Sequence, residues 1–348
     1  MRVLVAMSGG VDSSVAAARL LDAGHEVVGV TMKLWGGESD TGCCSVSDVD
    51  DARRVAQQLG IAHHVWSFTD DFERHVVEPY VEAHRTGRTP NPCIECNRHL
   101  KFDRLLRRVE AVGYDAVATG HHARVVERPD ATRRLARGAD TAKDQSYVLY
   151  VLGQEELART LLPVGDITKD EVRAEAVRRG LRTADKPDSQ DVCFVTASRG
   201  RADFLGRRMA LHPGRIVDGT DEVGRVDAVE LVTIGQRRGL GMAGAGSPRY
   251  VVDVDVPSAT VRVGGAADLL ATRVDLTDVV WAAGPVAGPV AAQCSAHGTP
   301  RAANVAPAAG SGATAAVIFA EPGRRVAVGQ SVVLYQRDEV VGGGIAAR

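Results

Sequence analysis

The sequence predicts an α/β protein, with one domain built on a parallel sheet and two small β domains after it. The first half alternates apolar strand-like runs with helical segments, which favours a parallel sheet with right-handed crossovers. From about Leu211 the pattern changes to short β-rich runs separated by Gly and Pro. The 348 residues are enough for two or three domains. We predict domain bounds of 1–210, 211–270 and 271–348.

Each element of the first half has a local signal. The predicted strands are 3–7, 26–32, 63–67 and 115–119, and the predicted helices are 13–23, 48–59, 100–112 and a short 202–209. Ser13 is the predicted N-cap of the first helix and Gly24 its end. Thr168 and Glu171 have the spacing of a capping box, which predicts a further helix ending near Gly180.

The second half is predicted from strand and turn signals. A turn at Pro213 and Gly214 opens it. The predicted strands are 215–217, 230–234, 250–256, 260–263, 315–319 and 331–335. The segment 302–316 is rich in Ala, Gly and Pro and is predicted to be a loop.

Composition excludes several classes of protein. Hydrophobic residues make up 45% but aromatics only 4%, so the cores must be mostly Ala, Val and Leu. The formal net charge of −2 means that any nucleic-acid surface must be local. We see no secretory leader and no apolar run near the roughly 18 residues of a membrane helix, so we expect a cytoplasmic protein without a membrane partner. Six cysteines in such a chain favour catalytic or metal-binding thiols over a disulfide framework.

The loop Ser8–Ser14, sequence SGGVDSS, joins the first strand to the first helix. A glycine-rich turn at a helix start directs backbone N–H groups at an anion, usually phosphate. It lacks the GK[ST] ending of a Walker A loop and the GxGxxG of a dinucleotide site. It resembles the PP-loop of ATP pyrophosphatases, which cleave ATP to AMP and pyrophosphate. The alternative is an ordinary strand-to-helix turn.

Two cysteines have the setting of reactive thiols. Cys96 follows two prolines, lies just before a helix predicted to start near Asn97, and has Arg98 and Lys101 close by in sequence. A helix start and basic neighbours both favour the nucleophilic thiolate. Cys193 ends a polar segment, which suits an accessible thiol. Taken singly, each could equally be a small buried hydrophobe.

Together these motifs make the chain resemble the bacterial tRNA-specific 2-thiouridylases. The matching pieces run the length of the chain in the family's order: SGGVDSS at 8–14, TPNPCIECNRHLKF at 89–102, TGHHAR at 119–124, KDQSY at 143–147, DSQDVCF at 188–194 and GGGI at 342–345. The resemblance implies that the first domain is a PP-loop ATPase domain and that the substrates are ATP, with Mg²⁺, and tRNA.

The resemblance also implies a reaction, the 2-thiolation of uridine 34 in the anticodon. ATP adenylates the C2 oxygen, a poor leaving group, and sulfur comes from a persulfide on Cys193. Cys96 is the partner nucleophile: it either attacks the persulfide, forming a Cys96–Cys193 disulfide and releasing sulfide, or frees Cys193 after transfer. A sulfur-relay protein or a cysteine desulfurase would load the sulfur.

Binding residues follow from the same matches. The implied ATP contacts are Ala6, Met7, Ser8, Gly9, Gly10, Val11, Asp12, Ser13, Met32 and Gly120. Asp12 would hold Mg²⁺ or orient the pyrophosphate. The implied tRNA contacts are His121, Lys143, Asp144, Gln145 and Gln330.

Three regions depart from the family's pattern; in one of them, residues 296–298, the Arg-Tyr pair that often meets tRNA in the family is not evident. Cys93 stands where many members carry Asp, so Cys93, Cys96 and Cys193 could together ligate a [4Fe-4S] cluster with one open iron. We favour the persulfide route over this alternative. His122 replaces the aromatic residue expected in the TGHHAR motif.

Local basic clusters are the candidates for a phosphate-binding surface. They are Arg98, Lys101, Arg104, Arg107 and Arg108; Arg133, Arg134 and Arg137; Arg199, Arg201, Arg207 and Arg208; and Arg237 with Arg238. Two other functions stay open at this point. One is a PP-loop ligase or amidotransferase, which leaves both cysteines unexplained. The other is a nucleotide-binding iron–sulfur or redox sensor without turnover.

Overall fold

The first domain is built on a five-stranded parallel sheet. The computed structural model describes residues 1–35, 45–188, 192–195, 200–242, 247–307 and 314–347. The strands, in the order β3-β2-β1-β4-β7 across the sheet, are β1 Arg2–Ala6, β2 Glu26–Lys33, β3 His63–Ser67, β4 Ala116–Ala118 and β7 Thr160–Leu161. The predicted α/β class and the four predicted strands are confirmed.

Helices connect these strands and cover the sheet. They are Val11–Asp22, Val46–Gln58, Ser146–Leu149, Gln154–Ala158, Lys169–Arg178 and Gly200–Gly206, with two longer helices that each contain a π-helical part: Thr69–Phe72, Glu73–Val77 and Glu78–Arg85; and Pro92–Glu95, Cys96–Arg104 and Leu105–Ala111. The capping box at Thr168 and Glu171 is present.

Two predicted helix starts are wrong. The first helix begins at Val11 with Gly10 as its N-cap. Ser13 lies inside it, and its hydroxyl donates to the carbonyl of Gly10 at 3.1 Å. The helix expected to start near Asn97 begins instead at Pro92, because the Asn91 side chain caps it by accepting from the N–H of Cys93 at 3.1 Å.

The order of the sheet determines where a ligand can bind. Strand β1 is central, with β2 on one side and β4 on the other. The chain therefore leaves β1 toward one edge of the sheet and later returns to its opposite side. In open α/β sheets this switch point opens a crevice at the carboxyl ends of the strands. The loops that follow β1 and β4 lie at this crevice.

The second half contains one small sheet and one closed barrel. The small sheet has the order β10-β11-β8-β9, from β8 Gly214–Asp218, β9 Asp221–Val226, β10 Tyr250–Asp255 and β11 Thr260–Gly264. The barrel has six strands: β12 Leu270–Trp281, β13 Gly288–Gln293, β14 Arg301–Pro307, β15 Ala315–Arg324, β16 Ser331–Gln336 and β17 Glu339–Ala346. Pairing of β12 with β17 closes it.

Two expectations for this half are wrong. The predicted strand 230–234 is a 3₁₀ turn, Val229–Leu231. The predicted loop 302–316 contains most of β14 and the start of β15, and residues 308–313 lie outside the described residues. In β14 the buried residues Ala303 and Val305 alternate with the exposed Ala302 and Asn304, so small side chains line the barrel interior with period two.

The barrel and the first domain are joined through a common sheet and a common apolar core. The hairpin formed by β5 Ala123–Glu127 and β6 Arg133–Arg137 belongs to the first half of the sequence, yet it extends the barrel sheet through β17. The largest apolar core combines helices of the first domain with Val333, Tyr335 and Val340 of the barrel. In the described ranges, no helix is both long and apolar enough to cross a bilayer.

Candidate functional site

The loop after β1 has the geometry of an anion-binding turn. Gly9 has a φ of +73°, and a Cβ at this position would collide with the backbone of Asp48. The first helical hydrogen bond of the following helix runs from Ser14 N to Gly10 O at 3.3 Å. The N–H groups of the first helical turn therefore have no acceptor within the helix, and an anion at this end of the helix can accept from them.

The loop after β4 lies against this turn. A Cβ on Gly120 would lie 2.6 Å from the backbone nitrogen of Ser13, so only glycine allows the two loops to approach so closely. The imidazole Nε2 of His122 lies 3.0 Å from Oδ1 of Asp12, and His122 is 3% exposed. The predicted ATP-binding residues Asp12, Ser13 and Gly120 therefore meet at the switch point. Met32 lies, buried, near the carboxyl end of the adjacent strand β2.

Asp12 begins a chain of charged groups. Lys169 Nζ donates to both of its carboxylate oxygens at 2.7 Å, and to Oδ1 of Asp188 at 2.8 Å. The other oxygen of Asp188 accepts from Lys143 Nζ at 2.7 Å, and Arg173 donates to Oδ1 at 2.8 Å. Through these contacts, the nucleotide loop, the KDQSY segment and the start of the DSQDVCF segment become one network.

These contacts shift the pKa values of the groups involved. Burial raises the pKa of Asp188, but hydrogen bonds from Lys143 and Lys169 outweigh it and lower the pKa to about 2. Burial also opposes ionisation of Asp12, yet His122 and Lys169 bring its pKa below the usual value. The hydrogen bond to Asp188 raises the pKa of Lys143. Both carboxylates are therefore ionised at neutral pH, and Lys143 is protonated.

Lys169 was not identified as a site residue from the sequence, although its position directly after the predicted N-cap Thr168 is unusual for a lysine. It occupies the first position of its helix, where the helix dipole disfavours a cation. It is also 7% exposed. A buried lysine at a helix N-terminus requires carboxylate partners, and Asp12 and Asp188 are those partners.

The thiols predicted to react lie in two segments. Cys96 is 7% exposed and begins the π-helical part of its helix, a geometry frequent at functional sites. Cys193 is half-buried and packs against the same apolar core as Cys96. Ser189, Gln190 and Asp191 of the DSQDVCF motif lie outside the described residues.

The predicted reason for the reactivity of Cys96 needs correction. Because the helix starts at Pro92, the cysteine in its first turn is the exposed Cys93, while Cys96 lies one turn further along. The dipole effect fades beyond the first turn, so it acts on Cys93 more than on Cys96. Arg98, the expected basic neighbour, forms an ion pair with Glu95 at 3.5 Å.

Among the residues that the structure describes, no ligand set for a metal cluster is assembled. Within the described ranges, which include Cys93, Cys96 and Cys193, no three His, Cys, Asp or Glu side chains are arranged to hold a metal ion. The three thiols as placed thus do not fit a [4Fe-4S] cluster. For Mg²⁺, Asp12 is the predicted carboxylate, but Lys169 engages both of its oxygens, so the ion would have to share or replace that contact.

The predicted tRNA residues differ in their surroundings. Lys143 is exposed, and its ammonium contacts Asp188. His121 is 9% exposed and bonded through Nδ1 to Thr119 at 2.7 Å, and burial lowers its pKa well below the usual value. Gln330 is half-buried in a turn beside the segment that precedes Asn91, because Thr89 N donates to Val328 O at 2.8 Å.

Asp144 and Gln145, also predicted to contact tRNA, form hydrogen bonds within the protein. Asp144 accepts from Arg137, from the backbone of Gly138 and from the hydroxyl of Ser146. Gln145 accepts from the backbone N–H of His122 at 2.9 Å, which orients the loop that contacts Asp12.

Most of the basic clusters are neutralised by nearby carboxylates. The ion pairs are Arg98–Glu95, Arg104–Asp71, Arg107–Asp103, Arg133–Glu127, Arg137–Asp144, Arg207–Asp203 and Arg208–Glu73. The guanidinium of Arg108 lies over the ring of Trp66 at 4.6 Å, and Arg201 donates to the carbonyl of Leu231. Arg199 lies outside the described residues. To bind phosphate here, these arginines would have to exchange their carboxylate partners for phosphate, since few of them carry an isolated charge.

Comparison with known proteins agrees with this architecture. Three family models match consecutive parts of the chain: a tRNA methyl transferase HUP domain over residues 1–197, a tRNA methyl transferase PRC-barrel domain over 202–265 and an aminomethyltransferase beta-barrel domain over 272–346. The structure places the small sheet in the second range and the closed barrel in the third.

Curated relatives match along their whole length. The chain is 48% identical over 364 residues to the tRNA-specific 2-thiouridylase MnmA of Mycobacteroides abscessus, covering 100% of each sequence. It is 47% identical to the MnmA of Mycolicibacterium smegmatis, covering 97% of this chain and 96% of that one. The solved structure of the U34-tRNA thiolase NcsA from Methanococcus maripaludis with its [4Fe-4S] cluster is 18% identical, covers 60% and 63% of the two chains and has a TM-score of 0.37, which is too distant to bear on function. The chain therefore belongs to the tRNA-specific 2-thiouridylase family.

Proposed function

We propose that the protein is an ATP-dependent sulfurtransferase that converts the C2 oxygen of uridine 34 in tRNA to sulfur. One observation carries the proposal beyond family membership. The anion-binding turn after β1 is linked through Asp12, Lys169 and Asp188 to the segment that contains Cys193. A site that activates an oxygen with ATP and a site that delivers sulfur must act on the same base, and this network supports the proposal that the two are one site.

The first step is adenylation. The turn Ser8–Ser13 with Gly120 would bind the triphosphate, and the buried Met32 would contact the adenine. The C2 oxygen of uridine attacks the α-phosphate, pyrophosphate leaves, and the oxygen becomes part of AMP. Protein N–H groups at the helix start would stabilise the negative charge on the phosphates. His122 and Lys169 keep Asp12 ionised and oriented toward this turn.

The second step transfers sulfur. A sulfur-relay protein or cysteine desulfurase loads Cys193 as a persulfide. In one route its terminal sulfur attacks C2, AMP leaves, and the Cys96 thiolate attacks Cys193 Sγ, which releases 2-thiouridine and forms a Cys96–Cys193 disulfide. In the other route Cys96 attacks the persulfide first and the released sulfide attacks C2. Both routes end in a disulfide that a dithiol reductant must reduce before the next turnover.

The test is thiolation of unmodified tRNA with ATP and a sulfide source under anaerobic conditions. Thiouridine at position 34 is read by nucleoside mass spectrometry, and AMP is measured in parallel. We expect both products from the native protein, and neither sulfur transfer nor turnover from Cys193→Ser when sulfur is supplied by a desulfurase. Cys294→Ser, a half-buried thiol at the end of β13, is the matched control. AMP without thiouridine would favour a PP-loop ligase. If folded protein formed no AMP and no thiouridine, the proposal would be contradicted.

A further inference from the structure

The helix that carries Cys96 begins beside a turn of the barrel, residues 328–331, here named the barrel turn. The backbone N–H of Thr89 donates to the carbonyl of Val328 at 2.8 Å. Gly329 has a φ of +89°, and a Cβ at this position would lie 2.9 Å from the Cβ of Arg88 and 3.1 Å from the nitrogen of Thr89. Only glycine therefore lets the barrel turn approach the segment before the helix so closely.

The chain between this contact and the helix is stiff. Pro90 and Pro92 each fix their own φ, and each restricts the residue before it to extended backbone. Asn91, between the two prolines, has φ −108° and ψ +100°. Its side chain accepts from the N–H of Cys93 at 3.1 Å and so caps the first helical turn. The position of the barrel turn is therefore passed on to the helix start, and to Cys96 one turn later, through few bonds that can rotate.

The residue after Cys96 leads to the same barrel turn. Asn97 is 1% exposed, and its Nδ2 donates to the carbonyl of Val148 at 3.0 Å. Val148 directly follows Tyr147, whose hydroxyl donates to the carbonyl of Ser331 at 2.8 Å. Cys96 is thus flanked by two paths of contacts, and both end on the barrel turn.

We propose that the barrel turn positions Cys96 for sulfur transfer, with Thr89 and Gly329 as positioning residues. The proposal rests on the proposed function, in which Cys96 attacks sulfur. The nucleotide loop lies after β1, on elements that neither path includes. A change at the barrel turn should therefore slow sulfur transfer and leave adenylation largely unaffected.

Hydrogen exchange tests whether the barrel turn holds the helix start. Exchange of the amides of residues 93–96 is followed by mass spectrometry in the native protein and in Gly329→Ala. Gly288→Ala is the matched control, because Gly288 has a similar φ of +96° but no described atom within 4 Å of where a Cβ would lie. We expect exchange to be about fivefold faster in Gly329→Ala than in Gly288→Ala, since local opening determines exchange. Equal exchange in these two variants would overturn the role of the barrel turn.

A second variant changes the stiff segment and leaves the barrel turn intact. It is needed because Gln330, a predicted tRNA contact, lies in the barrel turn, so that Gly329→Ala acts on tRNA binding as well. Pro90→Ala removes one fixed φ, and Pro285→Ala, at an exposed proline outside both paths, is its control. Exchange at residues 93–96 should also rise in Pro90→Ala, which provides the test if Gly329→Ala fails to fold.

Sulfur transfer is then measured separately from adenylation. Thiouridine and pyrophosphate are followed in a single turnover at saturating tRNA. We expect Pro90→Ala and Gly329→Ala to lower the rate of thiouridine formation about tenfold, and that of pyrophosphate formation by less than about twofold, because misplacement of a reacting group slows only the step in which it reacts. A native ratio of thiouridine to pyrophosphate in Pro90→Ala would overturn the positioning of Cys96.

Failure of the proposed function is a distinct outcome. If the native protein forms no thiouridine, the proposed function fails, and hydrogen exchange still decides whether the barrel turn holds the helix start. If the native protein forms thiouridine and Pro90→Ala keeps the native ratio of products, only the positioning of Cys96 is wrong.

Discussion

The imidazole of His122 lies 3.0 Å from the carboxylate of Asp12, at the point where the loops after β4 and β1 meet. This contact joins the loop after β4 to the first turn of the helix that would bind phosphate. The second ring nitrogen of His122, Nδ1, is buried without a hydrogen-bond partner within the described residues. Asp12 is thus held by two groups, His122 in the loop after β4 and Lys169 at the first position of its helix.

Replacement of His122 tests how much this contact contributes. His122→Phe keeps an aromatic ring but removes the partner of Asp12, and we expect it to lower the rate of AMP formation roughly tenfold, since a hydrogen bond to a charged group contributes about 1.5–3 kcal/mol. His122→Gln, which retains a polar group of similar reach, should recover part of the rate. The check is kcat and KM for ATP in both variants. Equal rates in His122→Phe and the native protein would show that Lys169 alone holds Asp12.

Loss of Lys169 should affect both stability and activity. Lys169→Met leaves Asp12 and Asp188 without their shared cation, so we expect the free energy of unfolding to fall by about 2 kcal/mol, less than for a fully buried ion pair because both carboxylates are partly exposed. Thiolation should also fall. The measurement is urea denaturation beside the thiolation assay.

Arg178→Met is the matched control for Lys169→Met. Arg178 is an exposed cation in the last turn of the same helix. Its replacement should change the unfolding free energy by at most about 0.5 kcal/mol. A similar loss of unfolding free energy in both variants would mean that the positive charge of the helix, rather than the contact of Lys169 with Asp12 and Asp188, stabilises the protein.

A buried histidine predicts loss of stability in mild acid. Burial and the nearby Arg201 lower the pKa of His84 to about 4, and its Nδ1 lies 3.3 Å from the carbonyl of Glu230, next to the small β sheet. Between pH 6.5 and about 4 the unfolded chain binds a proton at this residue and the folded chain does not, so stability falls as pH falls through this window.

The size of this effect can be measured with one variant. From pH 6.5 to 5 the native protein should lose about 2 kcal/mol through His84. His84→Asn retains a donor near the position of Nδ1 but does not titrate, so its loss over the same window should be smaller by that amount. Denaturation curves at the two pH values provide the comparison. Parallel losses in both proteins would show that another group causes the pH dependence.

The joint between the first domain and the barrel depends on buried tyrosines. Tyr147 donates to the backbone carbonyl of Ser331 at 2.8 Å, and Tyr150 lies 3.4 Å from the Ser331 hydroxyl. Both are at most 2% exposed. Tyr147→Phe removes a hydrogen bond to a buried carbonyl, and we expect a loss of about 1–2 kcal/mol in unfolding free energy. Tyr150→Phe, with the longer contact, should lose less. Equal effects on denaturation midpoints would contradict this ranking.

Local patterns predicted the class and much of the site. Apolar runs predicted β1, β2 and β4, because strands covered on both faces have no polar alternation. The edge strand β3, His63–Ser67, is mostly exposed and was predicted from the alternation of strands and helices. The turn at Ser8–Ser14 was visible because glycine and small polar residues at a strand-to-helix junction have few other uses. The capping box at Thr168 was visible for a similar local reason.

Local patterns failed where a distant segment supplied the partner. The Ala-rich stretch 302–307 has weak strand propensity, and its pairing with β13 and β15 makes it a strand. One local signal was also missed. The helix starts at Pro92 because the neighbouring Asn91 side chain caps it, whereas the prolines suggested an extended chain.

The sequence by itself determined the glycine-rich loop after β1, the order of the motifs and the residues predicted to react, since each prediction depends on residues close together in the chain. Only the tertiary structure decided which groups act together. Lys169 reaches Asp12 and Asp188, and β6 pairs with β17, across long separations in sequence. Such contacts depend on how strands are ordered and where helices pack, and no local periodicity records them.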